Sequence, residues 1–198
     1  MKNNIIALLS CLTLLTACPG PKKPEPVIEN PAVEKADVMK TNTDMMVDSV
    51  NNSWNGIIKQ DDDKFASIKR LLDEISYCKK YDMTTQEALV KEIPSIKALR
   101  FNQDNIDSSA VEKYDEATDA YVKKVITFAD KTKELASHPI AAELKDDIMN
   151  ANSVEDIVQV RNNYNKAVLA YNDYLEKNKD AINKMGPPYN SLTPKKTF

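Results

Sequence analysis

The sequence predicts an all-α protein: an antiparallel up-down bundle of about four helices with a long first helix, behind a signal peptide and a Pro-rich tether. Three observations carry this expectation. Apolar residues recur at spacings of three and four from about position 36 onward, the period of a helix with one buried face. No strand-type alternation of apolar and polar residues appears. The chain has only 3 Gly in 198 residues. That is too few for phosphate loops, tight hairpins and nucleophile elbows, which need positive φ, so most enzyme folds are disfavoured.

The first element is an address. Lys2 gives a small positive start, and residues 5–17 form an apolar run. The run is too short to span a bilayer and the right length for a signal-peptide core. It ends Leu15-Thr16-Ala17-Cys18, which resembles the bacterial lipoprotein signal, with cleavage before the Cys and acylation of its thiol. Residues 1–17 are thus read as a cleaved signal and Cys18 as the lipidation site. The lipid bilayer, reached through acylated Cys18, is the first expected partner. Two or three acyl chains anchor stably, because each buried methylene contributes about 0.8 kcal/mol. Pro19 follows the Cys, where an Asp would signal inner-membrane retention. In a Gram-negative host this points to the outer membrane.

Residues 18–37 read as a tether. Pro19, Pro21, Pro24, Pro26 and Pro31 are half of the 10 prolines, and such a stretch is extended and polyproline-like. Residues 38–185 read as the bundle. In its first helix Val47, Val50, Trp54, Ile57, Asp61, Lys64, Ile68, Leu71, Ile75 and Cys78 keep one 3-4 rhythm. Two charges, Asp61 and Lys64, sit on core-type positions, so the expectation is one long helix with a polar notch. The second helix opens on Thr84-Thr85-Gln86-Glu87, a capping-box pattern, and Pro94 should kink or split it. The third opens on Ser109 with Glu112 three residues on and should run to Pro139, with His138 capping its end. A short helix near 140–149 leads to the last long one. There Val154, Ile157, Arg161, Tyr164, Val168, Tyr171, Leu175 and Ile182 form the stripe. Gly186-Pro187-Pro188 ends it, and residues 186–198 read as a loose tail.

The charge is nearly balanced, 27 Lys and Arg against 30 Asp and Glu, which argues against a nucleic-acid partner. Asp61-Asp62-Asp63 invites a divalent-cation reading. On a helix, however, consecutive residues point about 100° apart, so the three cannot converge on one ion. An Asp61–Lys64 pair at i,i+3 is the expectation instead. Cys11 leaves with the signal and Cys18 is acylated, so Cys78 stands alone and reads as a small buried hydrophobe. His138 is the only His, and no Cys-His, Ser-His-Asp or His-x-x-His set is expected to assemble around it. No catalytic residues, metal ligands or cofactor are assigned.

The last helix reads Arg161-Asn162-Asn163-Tyr164-Asn165-Lys166-Ala167-Val168-Leu169-Ala170-Tyr171-Asn172. This resembles the C-terminal signature of the LemA family of bacterial envelope proteins. Trp54, Ile57, Gln60, Ile68, Leu71 and Leu72 are similar to that family's Trp and apolar positions. Cys78-Lys79-Lys80-Tyr81 through Glu87, Leu89 and Ile93 is similar to its second-helix entry. The resemblance implies a helical bundle with a membrane-attached N-terminus and no established enzymatic activity. Independently of it, Tyr164 and Tyr171 lie seven apart, as do Asn165 and Asn172, so each pair shares a face. Asn is a weak interior helix former. Two readings follow: a core stripe whose polar edge fixes helix register, or a ligand or partner groove along Arg161, Tyr164, Asn165, Val168, Tyr171 and Asn172. The sequence therefore points to a lipid-anchored envelope protein acting as a non-catalytic interaction, scaffold or accessory module for another envelope protein. The alternative is a small-ligand or metal-binding lipoprotein using the groove or the acidic notch.

Overall fold

The computed structural model describes residues 31–198, so the signal at 1–17, Cys18 and most of the tether lie outside the described residues. The described residues form six α-helices, two 3-10 turns and no strand. The helices are α1 (Pro31–Ser76), α2 (Met83–Lys97), α3 (Ser108–Lys131), α4 (Ala141–Ala151), α5 (Val154–Lys177) and α6 (Lys179–Lys184). None is long and apolar enough to cross a membrane.

α1 has 46 residues and is about 69 Å long at 1.5 Å per residue. Its predicted register holds: Val50, Ile57, Asp61, Lys64, Phe65, Ile68, Leu71, Leu72 and Ile75 are all buried, as is Cys78 in the turn just past its end. The helix runs unbroken through the polar notch, because each notch charge finds a partner. It also takes in residues 31–37, which the sequence assigns to the tether. Pro31 is compatible with a first helical turn, where its missing N–H would have no partner anyway.

The other helices arrange themselves along this spine. Glu74 faces His138, Lys64 faces Asn152, Trp54 faces Tyr164 and Thr43 faces Tyr174. α4 and α5 therefore run end to end beside α1, in the opposite direction. α2 and α3 cover the other side of the C-terminal half of α1. Gln86 Nε2 reaches Leu72 O (3.3 Å), Lys97 Nζ reaches Asp62 (2.7 Å), and Tyr121 Oη donates to Leu89 O (2.8 Å). Ile68, Leu71, Leu72, Ile75, Tyr121, Val125 and Ile148 fill the core there, and Val50, Tyr164 and Val168 carry it toward the N-terminal half.

Several local expectations are corrected. Both capping boxes start two residues early. Asp82 caps α2, accepting from Thr85 N (3.1 Å), and Asp107 caps α3, accepting from Ala110 N (2.9 Å). A carboxylate also complements the positive end of the helix dipole, which a Ser or Thr hydroxyl does not. α2 is not split at Pro94 but continues to Lys97, since in the last turn the ring removes little of the ladder. α3 stops at Lys131, and a 3-10 turn at Lys133–Ser137 precedes His138. Asn178 separates α5 from α6, its side chain donating back to Tyr174 O (2.9 Å). Gly186 adopts φ +75°, ending the run. The largest correction is the tail: residues 186–198 are not loose but packed against the body.

Candidate functional site

The six α5 residues picked out by their pattern divide into two sets. Tyr164, Val168 and Tyr171 are at most 2% exposed and belong to the core. Arg161, Asn165 and Asn172 are half-buried on its edge. The Tyr–Val row thus lies inside and the Arg–Asn row lines a groove on its edge.

That groove holds the chain's own last residues. After the 3-10 turn at Tyr189–Ser191, Leu192 is extended at φ −66°, ψ 132°. Pro194 biases Thr193 toward extended backbone as well. Tyr171 Oη donates to Thr193 O (3.1 Å). Asn172 meets Lys195 twice: its Nδ2 donates to Lys195 O (2.9 Å) and its Oδ1 accepts from Lys195 N (2.9 Å). Asn165 Oδ1 accepts from Phe198 N (2.9 Å). The Asn side chain amide thus pairs with a backbone as a neighbouring strand would. The spacing is also matched. Seven helical residues rise about 10.5 Å, and the three extended residues from 195 to 198 span about 10 Å.

Phe198 ends in an aromatic cluster. Its ring stacks on Trp54 (6.4 Å between centroids) and meets Phe101 (5.4 Å) and Tyr164 (5.5 Å) edge-on. The Arg161 guanidinium lies over the Phe198 ring at 5.1 Å. Arg161 is held there by two bonds to Asp115, 2.8 and 2.6 Å. A planar guanidinium can pair a carboxylate bidentately and lie over an aromatic face at once.

The polar notch of α1 forms a second constellation. Lys64 Nζ lies 3.2 Å from Asp61, and Tyr114 Oη donates to Asp61 at 2.6 Å. Arg100 bridges Asp61 and Asp62, the latter at 2.8 Å, and Lys97 also binds Asp62. Asp63 turns to Lys59 on the surface. The three carboxylates diverge, as helical geometry requires. Hydrogen bonds from Lys97 and then Arg100 hold the Asp62 carboxyl below its usual range. Burial, with Asp61 adding to it, pushes the Tyr114 phenol up. Beside this network lies a cavity of about 40 Å³, and Thr118 Oγ1 and Arg100 Nε are buried without partners among the described residues. At roughly 10–15 Å³ per water, the space fits about three waters. Among the described residues no three His, Cys, Asp or Glu side chains are arranged to hold a metal ion.

A third constellation corrects the sequence reading of His138. Its Nδ1–H donates to Glu74 Oε2 (3.0 Å), and its Nε2 lies 3.7 Å from Cys78 Sγ. The fold therefore does assemble a thiol, an imidazole and a carboxylate, from the end of α1, the turn after it and the turn before α4. Cys78 is 4% exposed. Burial, then Glu134 and Glu74, push its thiol pKa up, the opposite of the lowering that activates a cysteine nucleophile. The trio ties the end of α1 to the turn at 133–137, and Glu134 adds a bond to Lys79 N (2.7 Å).

Sequence reasoning missed the partner of the Asn row. The available signals were Phe198 after a Pro- and Lys-rich run and two in-register Asn side chains without an assigned acceptor. Cys18 lies outside the described residues. Comparison of the chain with protein-family models, curated proteins and solved structures finds no match.

Proposed function

We propose that this is a lipid-anchored protein of a bacterial envelope that works by binding another envelope protein rather than by catalysis. The observation that carries it is the joining of Leu15-Thr16-Ala17-Cys18 and a Pro-rich tract to a rigid helical body. Such a chain holds a binding surface at a set distance from the bilayer. The outer membrane is the proposed site in a Gram-negative host, given Pro19. The sequence of contacts along the C-terminal half of α1 supports reading α1, α2, α3 and α4 as an up-down-up-down arrangement, with α5 continuing in the direction of α4. The buried Cys78 thiol supports a non-catalytic role. The small-ligand alternative has less support, because the Asn165 and Asn172 amides are taken up by residues 195–198 and the notch cavity holds only about three waters.

The test is Cys18→Ser together with crosslinking in cells. The wild type should incorporate labelled palmitate, fractionate with membranes and yield a discrete crosslinked partner. Cys18→Ser should lose the label and the membrane fraction. A wild type recovered unacylated in the soluble fraction, or one with no crosslinked partner, refutes the proposal.

A further inference from the structure

We propose that the α5 groove is a recognition site for an extended, basic peptide segment of a partner protein carrying an aromatic residue, and that residues 193–198 are its built-in occupant. The inference rests on the interaction reading above and names the occupant of one surface.

The geometry is that of a peptide clamp rather than of ordinary tail packing. The four hydrogen bonds from the body to the segment all involve backbone atoms of the segment and side chains of α5. Such bonds do not depend on the bound sequence, so they would hold any extended chain in the same register. Thr193 and Lys195, two apart, present carbonyls along one edge, which is the period of extended backbone. Selectivity comes from two features. Trp54, Phe101, Tyr164 and the Arg161 guanidinium surround Phe198 and select an aromatic ring. The surroundings are acidic. Lys195 Nζ lies 3.7 Å from Asp104. A groove of about 660 Å³ continues past Phe198 between α3 and α5, lined by Asp107, Glu112, Asp115, Glu116 and Asp119. Asp115 is already paired with Arg161, which leaves a net negative rim. The resident segment, Pro194-Lys195-Lys196-Thr197-Phe198, matches both features. A partner segment with further basic residues would gain the rest of the groove, which the resident leaves open.

The test uses the full chain and a fluorescent peptide of sequence Ser-Leu-Thr-Pro-Lys-Lys-Thr-Phe. The wild-type segment competes at a high effective concentration because it is tethered. Phe198→Ala weakens that competitor, so the peptide should bind this variant at least about tenfold more tightly than wild type. Replacing the peptide's Phe by Ala, or adding Asn172→Ala to the variant, should each weaken binding at least about tenfold. Equal binding to all chains, or none to a folded Phe198→Ala chain, overturns the proposal. So does a dimer formed by segment exchange that the peptide cannot compete away, since the occupant would then be a second copy. If Phe198→Ala does not fold, hydrogen exchange on the wild type decides. Lys195 and Phe198 amides exchanging about a hundredfold faster than the Val168 amide support a segment that opens locally. Exchange in step with Val168 overturns it. A failed peptide test with a crosslinked partner still recovered leaves the interaction reading intact and assigns it to another face.

Discussion

The buried charge network of α1 makes an asymmetric prediction. Asp61 accepts from Tyr114 and Arg100 and pairs with Lys64, whose side chain is 6% exposed. Asp61→Ala leaves Lys64 with Asn152 Oδ1 at 3.3 Å as its remaining partner and leaves the Tyr114 hydroxyl without an acceptor. Removing one member of a buried ion pair costs about 3–5 kcal/mol. Arg100 keeps Asp62, and the adjoining cavity can admit water to Lys64, so about 3 kcal/mol is expected. Lys64→Met removes a charge of similar length but leaves Asp61 with two donors, so it should cost about 1 kcal/mol or less. Urea unfolding followed by far-UV circular dichroism reads both, provided the m-values match. Asp61→Ala should also lower Tm by about 6–12 °C for a domain of this size. An Asp61→Ala protein within about 1 kcal/mol of wild type, or a Lys64→Met protein less stable than Asp61→Ala, refutes the assigned bonding.

Three further outcomes follow from the same packing. The Tyr164 hydroxyl is buried with no partner among the described residues, so Tyr164→Phe should leave stability unchanged or raise it by up to about 1 kcal/mol in the urea assay; a loss of more than about 1 kcal/mol would reveal an unseen bond. Burial first, with Asp61 beside Tyr114, Glu92 beside Tyr121 and Asp104 beside Tyr164, holds these phenols above their usual value, and burial alone does so for Tyr171. The unfolded phenols ionise near pH 10 while the folded ones stay protonated, so stability should fall as pH rises through about 10. Phenolate absorbance from them should appear together with loss of helix, and titration at an ordinary value with helix intact would contradict this. Cys78 should react with a thiol reagent at least about a hundredfold faster in urea than in buffer, and fast native labelling would contradict the buried, protonated thiol.

The helical architecture was legible because it follows from side-chain periodicity, which is local. The α1 register from Val50 to Cys78 and the Asp61–Lys64 pair both came from spacing alone. What spacing cannot reveal is which distant residue a polar group meets. His138 and Cys78 are 60 residues apart, and no local signal links them. The helix starts slipped because Asp82 and Asp107, each two residues ahead of the Thr or Ser read as the cap, made the bonds instead. The tail was misread for a related reason. An extended segment has no periodic signature, and Pro194 with two Lys looks like solvated chain. Its order comes from acceptors and donors on α5, so the Asn165 and Asn172 pattern was the visible half of an interaction whose other half was silent.

The balance of forces on that segment shows why it can serve as a displaceable occupant. Its four backbone bonds contribute about 1 kcal/mol each. Half-burying the Phe198 ring against Trp54, Phe101 and Arg161 adds about 2–3 kcal/mol. Ordering six residues costs about 1–1.5 kcal/mol apiece in backbone entropy. These opposing terms nearly cancel, so the segment is only marginally held. The groove is then open an appreciable fraction of the time, and a competing peptide's apparent affinity is its intrinsic affinity multiplied by that fraction. A free copy of the resident sequence meets the same contacts without the tether and loses. A partner that also fills the acidic groove beyond Phe198 gains contacts the resident lacks, and it is this surplus that would move the equilibrium.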